Sequence, residues 1–460
     1  MPPRDRFEAW FDGEDLPPAT SGPSPRNLPR PGSGLTRFLA LITACVLFVG
    51  LVGGAHRAGF IRVPGEPGVA IESPTPTPTD GSVTPTPTPS PTPTPTAPPT
   101  PDVAGRLPIE SCKLATGNTE NFTSSFPISD YTYANTTGKI RIALIFVDFP
   151  DAVASADSDT YFDRISSKVT ETYRENSFGK LTVEFVQVPG WIRMSKTSTR
   201  YNVLQGSATY DSTVKYGSEA LTAADRTVDM TGVTSVAVFA TESAPGVAGD
   251  YEWDLIQPIT TGEGSKVSSF IVTGGQWWLT NWEPLVVAHE FGHVLGLQDL
   301  YGDENTGPSP YVGDFDFMSN ASEDSLAPSL LGWDRWRLGW ISDASVVCVK
   351  PTAENRITLS PIQTGKGTLL AVVPLSATRA LVMESRHPIG MDRKLRNSGI
   401  LVYIVDTSID TTEGPMRVQL ASGATLSDAL LEANEYLEAS GWVVSVTRNE
   451  TWGNEFAIFP

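Results

Sequence analysis

From Ser73 to Pro101 the chain repeats Thr-Pro, interrupted by Asp80-Gly81-Ser82-Val83. Each proline fixes φ and lacks an amide donor, so this stretch can complete neither a helix nor a strand ladder. It is expected to stand as an extended stalk, on the order of 90 Å long at about 3.1 Å per residue. No globular core can run through it, which divides the 460 residues into an N-terminal part and a folded part beyond.

Residues 1–36 are rich in Pro, Gly, Ser and charge and lack apolar periodicity, the signature of a disordered tail. Phe38 to Ala55 is almost uncharged and apolar, near the lower length limit for a membrane span, so residues 37–55 are assigned as a transmembrane signal anchor. Gly53-Gly54-Ala55 keeps a cleaved signal peptide open as the alternative, which would leave the protein secreted; the tail before the span is longer than an ordinary charged leader and favours the anchor. Arg26, Arg30 and Arg37 outnumber Arg57 and Arg62 on the far side, which places the tail in the cytoplasm and the rest outside the cell. The stalk segment is then 56–105.

A net charge of −19 excludes nucleic acid or an anionic membrane surface as the main partner, since phosphate binding needs a basic field. Clustered carboxylates at Asp148, Asp151, Asp157 and Asp159, or at Asp303, Glu304 and Asp314, make calcium a second candidate ion beside the one argued below, with a solvated acidic loop as the simpler account. Of three cysteines, Cys45 lies in the apolar segment, leaving Cys112 and Cys348. In an extracytoplasmic compartment these two are expected to form an intrachain disulfide; the rival is a free Cys112 thiolate acting as a latency cap on a metal.

Folded sequence begins near Leu107. Lys139 to Phe149 is apolar on both faces, as a central strand should be, and Phe162, Ile165, Val169 and Tyr173 recur at helical spacing up to Asn176-Ser177-Phe178-Gly179. Strands follow at Leu181–Val188, Ser235–Thr241 and Val267–Thr273, with a helix near Val214–Ala224. This order predicts an α/β layered domain over 106–341. From 342 to 460 short strands dominate, at Val346–Val349, Arg356–Leu359, Leu369–Val373, Ala380–Glu384, Gly399–Val405, Trp442–Val446 and Glu455–Phe459, with a helix near Leu426–Leu437: a β-rich domain of sandwich or jelly-roll type.

Between Asn281 and Met318 lies the stretch that carries chemistry. His289 and His293 stand four apart, so on a helix both imidazoles face one side and reach one metal ion, with Glu290 beside the open coordination position as general base. Pro284 suits the first turn, Leu285, Val286, Val287 and Ala288 give a buried face, and Gly296 a place to stop. Five residues of this kind arise by chance; the continuation to Gly296 and Asp299 is more specific, because the glycine lets the chain turn and return a carboxylate as third ligand. Asp303 and Asp316 are more distant competitors for that place. His387, the remaining histidine beyond the stalk, precedes Pro388 and is expected to be exposed.

The run His289-Glu290-Phe291-Gly292-His293-Val294-Leu295-Gly296-Leu297-Gln298-Asp299-Leu300-Tyr301, followed by Asp316-Phe317-Met318-Ser319, resembles the immune inhibitor A-like family of secreted metalloproteases. Ala143 to Asp151, Tyr173 to Leu181, Gly190-Trp191, Leu331 to Ile341, Leu381 to Arg386 and Gly399 to Asp406 extend the likeness over residues 139 to 406. The resemblance implies a metzincin-like α/β zinc protease domain, zinc on His289, His293 and Asp299, Glu290 as catalytic base, and Met318 as an apolar floor in a methionine turn. Many metzincins carry a tyrosine soon after that methionine, whereas this chain has Ser319-Asn320-Ala321, which leaves the group that stabilises the oxyanion open.

The implied function is a membrane-tethered, extracytoplasmic zinc endopeptidase acting on protein or peptide substrates. Two alternatives remain at this point: a surface adhesion or binding module whose zinc is structural, and an amidase cutting cell-wall peptides. Val267–Thr273 is the candidate edge strand for an extended substrate, and Trp277, Trp278 and Trp282 line the cleft or pack in a loop.

Overall fold

The computed structural model describes residues 105–117, 124–128, 134–204, 207–275, 283–302, 309–322, 324–350, 352 and 354–460. The tail, the apolar segment, nearly all of the stalk, Trp277, Trp278, Trp282, Asp303 and Glu304 lie outside the described residues. Among the described residues no helix is long and apolar enough to cross a membrane. The chain is a mixed α/β structure, and the described residues form one compact unit.

Strand β1 (Gly138–Asp148) is buried on both faces from Ala143 onward, so it occupies the interior of a sheet. Helix α1 (Ser158–Asn176) starts on Asp157, whose side chain accepts from the Asp159 amide, and ends at Phe178 and Gly179, both with positive φ. Strand β2 (Leu181–Arg193) returns parallel to β1, with Ile142 opposite Phe185. After a short β3 (Val203–Leu204), helix α2 (Tyr210–Ala224) opens with a reciprocal capping box between Thr209 and Ser212. Strands β4 (Val233–Ala240), β5 (Val247–Ala248), β6 (Asp250–Thr260) and β7 (Lys266–Thr273) follow. The sheet order is β2-β1-β4-β7-β6, parallel except for β6.

Alternate residues of β1 feed two cores. Ile142, Leu144 and Phe146 pack with Ile165, Val169 and Tyr173 of α1 and with helix α3 (Glu283–Val294). Ala143, Ile145 and Val147 pack with Tyr216, Ala220 and Leu221 of α2. Helices therefore cover both faces, and α1 and α3 share one of them.

Helix α4 (Gly332–Arg337) leads into strands β8 (Val346–Cys348), β9 (Asn355–Leu359), β10 (Leu370–Pro374), β11 (Arg379–Arg386), β12 (Gly399–Asp406), β13 (Met416–Val418), β14 (Tyr436–Ala439), β15 (Trp442–Glu450) and β16 (Gly453–Phe459). They form two sheets, β13-β12-β11-β10-β8 and β14-β15-β16-β9, with a shared core that includes Ala371, Met383 and Val402 from one and Leu359, Val444 and Phe456 from the other. The opposite face of the first sheet, through Leu370, Val372, Leu401 and Tyr403, joins the core that holds α1 and α3. Cys112 and Cys348 are joined by a disulfide, which ties the entry of the folded part to β8 and excludes a free Cys112 thiolate as a metal cap.

Three expectations are corrected. Leu426–Leu437 is not a helix: a single 3-10 turn at Leu426–Asp428 is followed by Asn434 at φ 72° and by β14. Its leucines look periodic because the chain passes between cores, with Leu426 and Leu430 packed on one and Leu431 and Leu437 in the other. Val267–Thr273 is not an edge strand, since β7 sits between β4 and β6 and the edge is Asp250–Thr260. His387 is buried at 4% exposure, its Nε2 2.9 Å from Asn454 Oδ1 and its Nδ1 3.1 Å from Ser398 Oγ.

Candidate metal centre

The centre is built on α3. Leu285, Val287, Ala288 and Phe291 bury one side of the helix, and Tyr173 of α1 donates its hydroxyl to the Ala288 carbonyl at 2.5 Å while its ring meets Phe291 edge-on. The helix stops where Gly296 takes φ +85°, with the Gly296 amide bonded to the His293 carbonyl and the Leu297 amide to the Gly292 carbonyl. That turn sends Leu297, Gln298 and Asp299 back past the helix.

His289 Nε2 lies 3.0 Å and His293 Nε2 3.2 Å from Asp299 Oδ1, and donor atoms of the three residues all fall within 4.8 Å of one another. Among the described residues this is the one group of three or more His, Cys, Asp or Glu side chains that could hold a metal ion. Both imidazoles are oriented from behind. His289 Nδ1 is 3.1 Å from the Phe317 carbonyl and His293 Nδ1 2.9 Å from the Leu297 carbonyl. A carbonyl only accepts, so each Nδ1 carries a proton, and each Nε2 faces the Asp299 carboxylate, donating to it when protonated and free to offer its lone pair to a cation when not.

Charge at the centre follows from this crowding. Burial lowers the pKa of His293, but the Asp299 carboxylate outweighs it and holds the imidazole up to about 10. Burial likewise lowers His289, and its hydrogen bond to Asp299 carries it above its ordinary value. Burial raises Asp299, yet His293 and the two hydrogen bonds leave it far below the usual carboxylate range. The three donors thus demand positive charge between them, which protons or a cation supply. Two imidazole nitrogens and a carboxylate oxygen are a donor set that suits a divalent transition metal.

Glu290, the neighbour of His289 in the helix, is buried at 6% exposure, and burial raises its pKa. Met318, fully buried, packs under the helix: a Cβ placed on Gly292 would come 2.6 Å from its Sδ. A glycine at that position therefore serves packing, despite its cost of about 1 kcal/mol in helix propensity. Asp316, a competing ligand by sequence, instead caps the turn beneath, accepting from the Met318 amide at 2.7 Å and the Leu331 amide at 2.6 Å. Burial and the charge of Asp334 push its carboxyl up to about 7. Arg386, itself at 0% exposure, secures the same turn by donating to the Phe315 carbonyl while pairing with Glu384 at 2.6 Å and Asp392 at 2.8 Å.

Among the described residues, the acidic side chains set out as calcium candidates do not converge. Asp148 pairs with Arg193, Asp151 accepts from Ser198, Asp157 caps α1, Asp159 accepts from Gln187, and Asp314 is held by Asn320 and the Leu326 amide.

Several residues around the centre escaped the sequence reading. Tyr301 stacks its ring on His289, with centroids 5.8 Å apart and planes 24° from parallel, and burial with the nearby Asp299 and Glu290 charges raises the pKa of its hydroxyl. Its place two residues past Asp299 was visible in the motif, but its contacts depend on how the chain returns. Thr411, in the β12–β13 connection, accepts from the Asp299 amide at 3.1 Å. Glu252 of β6 lies opposite Ile271, on the sheet face that carries α3, and its Oε1 is buried without a hydrogen-bond partner. Burial, Asp254 and Glu290 together raise its carboxyl well above the ordinary value, against a smaller opposing effect of His293.

No family model matches the chain, and no curated protein matches it. Among solved structures, catalytically inactive OgpA from Akkermansia muciniphila, in complex with an O-glycopeptide (glycodrosocin) substrate, aligns at a TM-score of 0.26 and 9% identity, over 63% of this chain and 94% of that one. A likeness of that size carries no argument about fold or activity.

Proposed function

We propose that this protein is a zinc endopeptidase of metzincin type, related to the immune inhibitor A-like family and tethered outside the cell by residues 37–55. The observation that supports it most is the convergence of His289 Nε2, His293 Nε2 and Asp299 Oδ1 while both Nδ1 atoms are taken up by backbone carbonyls. A site with three protein donors on a helix and its return turn leaves a fourth position for water or substrate.

A zinc ion held by His289, His293 and Asp299 would supply Lewis-acid chemistry, lowering the pKa of a water and polarising the scissile carbonyl. Glu290, next to His289 and shielded from bulk water, accepts the water's proton and passes it to the departing amine. Its raised pKa suits a group that must both take and return a proton near neutral pH. The edge strand β6 offers unpaired backbone groups to an extended peptide, a role the sequence assigned to β7.

The full chain, purified in detergent, should cleave an unfolded protein, stop on addition of a chelator and resume with zinc. Glu290→Gln should bind zinc as the parent does and cleave on the order of 10²- to 10⁴-fold more slowly. Zinc occupancy without turnover of any unfolded substrate would defeat the peptidase reading. Extraction of membranes with alkaline carbonate tests the tether, which predicts retention in the pellet.

A further inference from the structure

We propose that Tyr301 is the hydrogen-bond donor that meets the negative oxygen developing on the scissile carbonyl, a role that rests on the peptidase reading above. Two residues past Asp299, its ring is fixed against His289 by a near-parallel stack, so the phenol is held beside the donor trio. Tyr301 is only partly buried, whereas Met318 on the inner side of the centre is fully so. Of the residues following Met318, the Asn320 side-chain amide is committed to Asp314, and the Ser319 hydroxyl, though without a partner, is sealed in the interior.

A phenol donates one hydrogen bond at a time. In the resting site the nearby Asp299 carboxylate is an acceptor that can take it. As negative charge grows on the substrate oxygen, that oxygen becomes a competing acceptor, and the hydroxyl exchanges one charge-assisted bond for another. The exchange is uphill with a neutral carbonyl and favourable with an oxyanion, so the interaction strengthens as the reaction proceeds and contributes to kcat. No covalent bond to Tyr301 forms or breaks.

The test is Tyr301→Phe in the zinc-loaded full chain. The phenylalanine keeps the ring on His289 and removes only the hydroxyl. Zinc affinity, measured by competition with a chromophoric chelator, and KM should stay within about twofold, while kcat falls on the order of 10²- to 10³-fold. Affinity for a phosphinic pseudopeptide, which carries charge where the reacting carbonyl develops it, should fall by a similar factor. An unchanged kcat, or zinc affinity falling in step with kcat, overturns the proposal; the second result would make Tyr301 a support for Asp299 alone. If the variant does not fold, a crystal structure of the wild-type chain with the phosphinate decides: the hydroxyl within about 3 Å of an inhibitor oxygen supports the role, and a hydroxyl on Asp299 overturns it. A wild-type chain without turnover defeats the peptidase reading itself, whereas an active wild type with an equally fast Tyr301→Phe defeats only this role.

Discussion

The Nδ1 of His289 lies 3.1 Å from the carbonyl of Phe317, so the turn beneath the centre sets the direction in which a helical imidazole offers its other nitrogen. That turn is shaped by the two carboxylate oxygens of Asp316, each taking one backbone amide. Asp316→Asn keeps only one acceptor oxygen and should cost about 1–3 kcal/mol in denaturant unfolding. Through Phe317 it should also weaken zinc binding on the order of 10- to 100-fold, read by chelator competition.

Gly292 and Met318 occupy the same space from opposite sides. Gly292→Ala gains helix propensity but forces Met318 to move within a packed core, and a net loss of about 1–3 kcal/mol is expected. Met318→Ala alone should also destabilise, by roughly 2–5 kcal/mol. Combined, the two changes should cost less than their sum, because the new methyl enters the room that the methionine leaves. Additive unfolding energies in that double-mutant cycle would contradict the contact.

Arg386 sits at 0% exposure between Glu384 and Asp392 and reaches the backbone of Phe315, Ser329 and Leu330. Arg386→Met would leave two buried carboxylates without their cation. A loss of about 3–5 kcal/mol is expected, measured as a lower denaturation midpoint. Changing Arg386, Glu384 and Asp392 together to apolar residues should not recover it, because the Gly332 and Ser329 amides would lose their acceptors inside the core.

Glu252 gives the protein a pH dependence of definite sign. Its pKa is raised in the folded state by burial, Asp254 and Glu290, so the native chain holds this proton more tightly than the unfolded chain. The associated stability is whole below the ordinary glutamate pKa and is lost as pH rises through the folded value. Glu252→Gln mimics the protonated form permanently. Variant and wild type should unfold alike near pH 4, and the variant should be the more stable at pH 8; equal stabilities at both pH values would refute the shift.

What could be seen in advance was local. The helix from Glu283, its stop at Gly296 and the return to Asp299 follow from residues within a few positions of one another, and the sequence reading placed all three together. The central strand was legible because Ala143 to Asp148 is buried on both sides. Strand β6 was not, since Asp250, Glu252, Asp254 and Pro258 read as polar loop and only pairing with β7 makes them an edge. The mistaken helix at Leu426–Leu437 and the buried His387 share a cause: the partners that decide them, such as Asn454, come from elsewhere in the chain. The contacts of Tyr301 and Thr411 with Asp299 depend on the same kind of tertiary return.

Thr411 belongs to a connection in the sandwich, yet it holds the amide of Asp299 across 112 positions of sequence, and the Thr412 amide meets the Asp299 carbonyl. A chimaera that kept this chain as far as Trp340 and borrowed its sandwich from another protein would therefore inherit a histidine pair with a wandering carboxylate. Whoever seeks a minimal catalyst from this scaffold has to carry that distant hairpin along with the helix.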